Sequence, residues 1–291
     1  LAVINQQLGE HQAALQCLRE VEALDPGKTI YGESMAESYF AMQDYQAAEE
    51  QANRVLQANG HSSQALQVKT KALMKRHQYE EAKRVLQAAR EMVSDPIPFD
   101  LLAIELDAAM MRKSGLGAAL ALAEKNPENP LVLNTLAGYY LEANMQTQAE
   151  ETLHHSLEID GQNPQTLLML GRIARRRGNL DQALAYLSRA LAINPSLIEA
   201  YLELGQTYQD RRDSTRALDT YHRAIAMVEK DPRAYIQAAG AYKDSKDYRS
   251  AESMLRQAAQ FAPNDPVIRR QLASIVALNL VNNLQEAPKR R

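Results

Sequence analysis

Tryptophan is absent from the 291 residues, and only 3 phenylalanines and 1 cysteine occur. With the largest rings missing, Ala, Leu and Tyr must fill the interior, which favours closely packed helices. The lone Cys17 excludes an internal disulfide framework and fits either a cytoplasmic or a disulfide-free periplasmic setting, with the cytoplasm favoured. A strong charge of one sign is also missing. The formal net charge is -3 and the pI about 6.1, so no basic field exists to neutralise a phosphate backbone, and nucleic acid is not an expected partner. No apolar run approaches the roughly 18 to 20 residues that span a bilayer. The longest candidate is the short run from Leu116 to Ala123, so direct membrane insertion is not expected.

Motifs for chemistry are lacking too. The six histidines, His11, His61, His77, His154, His155 and His222, are scattered and none sits in a metal-ligand spacing. Adjacent His154 and His155 would point about 100° apart on a helix and cannot readily share an ion. Cys17 adjoins Leu18 with no Gly-rich elbow or nearby His, and reads as a packing residue. Gly115-Leu116-Gly117 has neither the strand before it nor the Lys-Ser/Thr after it that a phosphate loop needs, so it reads as a turn. No catalytic residue, cofactor or metal is expected, and an enzyme is not the reading.

What is present is a repeat. From a small residue, the pattern places a large residue three later, Ala twelve later, a large residue sixteen later, a small one nineteen later and a breaker twenty-four later. Gly171, Ala174, Ala183, Leu187, Ala190 and Pro195 form the clearest copy. The reference recurs at Gly205 and Ala239, a period of 34 residues, and upstream at Ala137, Thr70 and Ala36. Each copy holds two amphipathic stretches at helical spacing, parted by a turn such as Arg177-Gly178-Asn179. Small slots let two antiparallel helices approach, and Tyr or Leu in the large slots fills the space between units.

These residues resemble the consensus of the tetratricopeptide repeat (TPR) family, of bacterial type, with the phrase Ala190-Leu191-Ala192-Ile193-Asn194-Pro195 the nearest likeness. Tyr201, Tyr235, Leu167 and Leu133 stand where the consensus often has Trp. The resemblance implies an all-α fold, a right-handed α-solenoid of antiparallel helix-turn-helix TPR units over residues 1–265. A truncated unit at 1–28 is followed by units at 29–62, 63–96, 97–129, 130–163, 164–197, 198–231 and 232–265. A capping helix at 266–284 and a tail at 285–291 close the chain. Leu1 falls inside a helix of a truncated unit, consistent with an upstream signal, anchor or further domain having been removed.

Two places depart from the pattern. The unit at 97–129 is one residue short and carries Gly115 and Gly117 where its second helix should begin, so that helix is expected to be shorter; drift and a bend or flexible joint are the alternatives. In the closing helix, Ile268, Leu272, Ile275 and Val276 are expected on one face, with Leu278, Leu280, Val281 and Leu284 making other sides apolar. Simple capping, self-association through this helix and docking of downstream sequence are the alternatives.

In TPR proteins the first helices line a concave groove. The resemblance therefore points to residues one and four after the small reference: Glu37 and Phe40, Lys71 and Met74, Gly138 and Leu141, Arg172 and Arg175, Gln206 and Gln209, Gly240 and Lys243. Arg172 is the preferred ligand candidate, because its equivalents Gly138 and Gln206 place no acid beside it. Arg176 is expected to be satisfied between Glu142 and Asp210. The Lys and Asn set with which some TPR proteins grip a terminal carboxylate is not matched, since Glu37 and Glu105 flank Lys71 and Lys75. The implied function is a protein-interaction scaffold or adaptor that binds a protein or peptide partner in the groove and assists complex assembly. The alternative is a targeting or regulatory module of a larger enzyme or of a secretion or polysaccharide-export machine, and a structural spacer ranks last.

Overall fold

The computed structural model describes residues 2–7, 11–25, 28–111, 115–227 and 231–286, and every regular element among them is an α-helix. The chain divides into two compact units, Leu1–Gly161 and Gln162–Arg291. In unit 1, α1 (Ala2–Gln7) and α2 (His11–Leu24) precede four hairpins. These pair α3 (Thr29–Ala41) with α4 (Tyr45–Ala58), α5 (Ser63–Lys75) with α6 (Tyr79–Met92), α7 (Ile97–Met111) with α8 (Leu116–Lys125), and α9 (Pro130–Glu142) with α10 (Gln146–Ile159). In unit 2, α11 (Pro164–Arg176) pairs with α12 (Leu180–Ile193), α13 (Ile198–Asp210) with α14 (Ser214–Met227), and α15 (Pro232–Asp244) with α16 (Tyr248–Phe261). The closing α17 (Pro266–Glu286) packs on α16. Within each unit, a first helix touches its own partner, the second helix before it and the first helix after it.

Local chemistry sets the helix ends. Asn129, Asn163 and Asp231 each precede a proline at the first helical turn and accept hydrogen bonds from the next backbone N–H groups, so the cap and the fixed proline φ act together. The turns inside the hairpins share one geometry. Gln43, His77, Asn144, Gly178, Arg212 and Lys246 all adopt positive φ at the same repeat position. At Arg212, the N–H bonds the Gln209 carbonyl at 2.8 Å and the next N–H, of Asp213, bonds the Tyr208 carbonyl at 2.9 Å. This is the Schellman arrangement that satisfies the last carbonyls of a helix, and only one of the six positions is glycine.

The core follows the repeat slots. Ala48, Ala82, Ala149, Ala183, Ala217 and Ala251 are all fully buried, and Leu86, Leu153, Leu187, Tyr221 and Leu255 fill the large slots behind them. A Cβ added to Gly171 would come within 2.7 Å of Leu187. The first complete hairpin inverts this pairing: Ala52 takes the large slot, Val55 the later small one, and Gly32, whose added Cβ would lie 2.6 Å from Val55, makes room one helical turn before Ala36.

The helix α8 spans 10 residues where α6 and α10 span 14. Residues 112–114 lie outside the described residues. Gly115 has a packing cause, since a Cβ there would meet the Tyr139 ring at 2.6 Å and Ile104 at 2.8 Å. In α17, Ile268 and Ile275 are buried and Leu272 half-buried, but Val276 is exposed, which corrects its expected place on that face. At about 100° per residue, Val276 stands roughly 80° from Ile268, whereas Asn279 returns to the buried line and donates to Glu252 at 2.9 Å. Leu280 and Val281 are exposed. The Leu284 side chain and tail residues 287–291 lie outside the described residues. No helix among the described residues is long and apolar enough to cross a membrane.

Candidate functional site

The first helices of unit 1 enclose an open cleft of about 520 Å³. Gln67 and Lys71 on α5 form one wall, Leu101 and Glu105 on α7 the floor, and Gly138 and Glu142 on α9 the other wall. Lys71, Glu105 and Glu142 are exposed. Tyr139 lies beside them, and its phenol pKa is raised, first by burial and then by the charges of Glu142 and Glu105. Nothing lies within 4 Å of a Cβ added to Gly138, so bare helix backbone faces the cleft.

Unit 2 has a smaller cleft of about 230 Å³ at its far end, between α15 and α17. Ala239, Leu255 and Ile275 line its apolar part, with Gly240 and Lys243 beside them. A Cβ on Gly240 would again have nothing within 4 Å.

Between α11 and α15 the same face carries a polar ladder. Arg172 Nε donates to Glu203 Oε1 at 2.6 Å, and Arg175 Nε donates to the other oxygen of Glu203 at 3.1 Å. Arg175 Nη1 reaches Asp210 at 3.0 Å. Gln209 donates to Asp244 at 3.0 Å and accepts from the buried Tyr221 hydroxyl at 2.6 Å. Burial pulls the Arg175 pKa down, but the bond to Asp210 and the charge of Glu203 outweigh it and the net shift is upward. Burial dominates at Tyr221 and holds its phenol protonated far above the usual tyrosine range.

Several expectations change. Arg172 does have an acid beside it: Glu203 lies one helical turn before the equivalent slot at Gln206, and helical side chains lean toward the N-terminal turn, so the long guanidinium meets it there. Asp210 engages Arg175 and not Arg176, which is exposed. Met74 is buried in the core against Leu73, Phe99 and Leu102, because the hairpin at 97–129 packs over it. Phe40 packs at a tilt against Tyr45, with ring centroids 5.3 Å apart. Leu141 and Gln206 are half-buried, and Glu37 is exposed on α3. The structure thus gathers Lys71 with Gly138 in one cleft and Gly240 with Lys243 in another, and links Arg172 and Arg175 through Glu203.

Sequence reasoning missed Gln67, Leu101, Thr135 and Glu203. Gln67, Thr135 and Glu203 each lie a turn before a chosen slot, and the same N-terminal lean of helical side chains was the signal that would have found them, whereas Leu101 stands on α7, where no slot was chosen.

Two family models match inside unit 2. One, described as TPR repeat, covers residues 171–210, and the other, described as Tetratricopeptide repeat, covers 202–266. Residues 171–266 carry tetratricopeptide repeats. Among curated proteins none matches it in sequence. A solved structure of the APC/C hetero-tetramer Cut9-Hcn1 is similar, with a TM-score of 0.60, 15% identity, and coverage of 91% of this chain and 52% of that one. The chain therefore spans about half the length of that neighbour. A tetratricopeptide repeat protein from Parabacteroides merdae ATCC 43184 is similar at a TM-score of 0.58 and 15% identity, over 85% of this chain and 98% of that one. These likenesses show the fold: all-α, of the TPR solenoid class. TPR units are protein-interaction modules, typically non-catalytic, and a protein is the partner class they bring.

Proposed function

We propose that this TPR protein is a scaffold or adaptor that holds a segment of a partner protein along the exposed face of its first helices and so assists assembly of a complex. The observation that carries this reading is a pair of bare glycines inside first helices. Gly138 and Gly240 lie inside α9 and α15, where glycine costs about 1 kcal/mol relative to alanine. Neither is required by packing within the chain, since a Cβ at either would meet nothing within 4 Å, and each lines a cleft on the first-helix face. Close approach of another chain's backbone gives such a glycine a purpose. An extended stack of small units also presents more surface than a compact domain of equal mass.

The test is affinity capture from the source cell with the native chain and with Gly138→Leu and Gly240→Leu variants, followed by mass spectrometry. A protein retained by the native chain and lost from a variant is expected. Retention of every captured protein by both variants would overturn the reading.

A further inference from the structure

We infer that the cleft of unit 1 takes an extended partner segment carrying a large apolar side chain next to a lysine or arginine, the apolar group on Leu101, Leu102 and Leu131 and the cation held by Glu105 and Glu142. This rests on the first-helix face being the partner-binding face. The cleft is graded along its length. Pro98, Leu101, Leu102 and Leu131 lie in the N-terminal parts of α7 and α9, whereas Glu105 and Glu142 stand further toward the C-terminal ends.

The two carboxylates come from neighbouring first helices, and neither forms a hydrogen bond or ion pair among the described residues. Glu203 in unit 2 differs, because both of its oxygens are spent on arginines. A segment lying over Glu105 and Glu142 would strip them of water, at a cost that only a paired cation offsets. A guanidinium or ammonium supplies the donors that two carboxylates need.

Among the described residues Lys71 is the single cation lining the cleft, and it stands on α5, the wall opposite Glu142. It repels a basic group from that wall and so sets the direction in which the segment lies. Gly138 lets the segment's backbone come down onto α9 between the apolar and acidic parts.

The experiment measures fluorescence anisotropy of labelled Leu-Arg, Leu-Glu and Ser-Arg repeat peptides with the full chain. Its variants are Glu105→Gln/Glu142→Gln and Gly138→Leu, with folding checked by circular dichroism. The Leu-Arg peptide is expected to bind at least about 10-fold more tightly than the other two, a difference of about 1.4 kcal/mol. The double Gln variant should erase its preference over Leu-Glu, and Gly138→Leu should weaken binding throughout. Equal or tighter binding of Leu-Glu or Ser-Arg, or a preference that survives the double Gln variant, overturns the inference. If Leu-Glu binds best and Gly138→Leu abolishes it, the partner-binding face stands and the basic ligand falls. If Gly138→Leu alters no peptide's binding, both fall.

Discussion

A Cβ added to Gly205 would lie 2.3 Å from the ring of Tyr221, a side chain with no exposed surface. The ring cannot withdraw, because Ala217, Ala238 and Ala241 pack around it. Gly205→Ala should therefore destabilise the protein by about 1 to 3 kcal/mol, the clash outweighing the gain in helix propensity. Gly240→Ala, in an equally helical but open position, should stabilise it by about 0.5 to 1 kcal/mol. Urea unfolding of the two variants checks both, and equal effects would show that the Tyr221 contact is not what demands glycine.

The hairpin turns offer a second case. Arg212 adopts φ 62° and Gly178 φ 81° at the same repeat position. A left-handed backbone costs a residue with a Cβ about 1 to 2 kcal/mol relative to glycine. Arg212→Gly should raise stability by about 1 kcal/mol, while Gly178→Ala should lower it by a similar amount, both read as thermal midpoints.

The repeat made the helices legible, because a period of 34 residues with alternating small and large slots leaves few other ways to bury both faces of a hairpin. One hairpin departs from the slots. The hairpin at 29–62 trades large for small at Ala52 and Val55, a compensation visible only once Gly32 is seen beneath Val55. The candidate site was half legible. Lys71, Gly138, Gly240 and Lys243 fell in the chosen slots and line clefts. Arg172 was misread, because matching slots by a shift of 34 assumes that side chains meet at equal height, and a long arginine reaches a turn away to Glu203.

Glu203 is the common acceptor for two arginines and only 13% exposed in its side chain. Glu203→Ala leaves both guanidinium groups without that partner, and a loss of about 1 to 2 kcal/mol is expected, less than for a fully buried pair because Arg172 is 33% exposed. The same change uncovers two cations on the first-helix face. Binding of an acidic peptide to the variant should therefore rise above that to the native chain and fall with added salt. Anisotropy with a labelled Leu-Glu repeat peptide at two salt concentrations reads this.

Acid should loosen the last hairpin of unit 2 through its caps. The Asp247 carboxylate, at the start of α16, accepts from the Ser250 backbone N–H at 3.0 Å. Its pKa lies below the ordinary aspartate value, held down first by the Ser250 side chain and then by that backbone bond. Glu252 is depressed in the same way, first by Asn279 of α17 and then by Arg256. A carboxylate whose folded pKa is below its unfolded value stabilises the fold fully above the unfolded value, about 3.9 for Asp and 4.3 for Glu. That contribution is lost as pH falls through the lower, folded value. The urea midpoint should therefore be level near neutrality and fall once pH drops below about 4. Asp247→Asn keeps an acceptor for the cap but cannot titrate, so its acid limb should be shallower than the native one. An unchanged acid limb would place the loss elsewhere than at this cap.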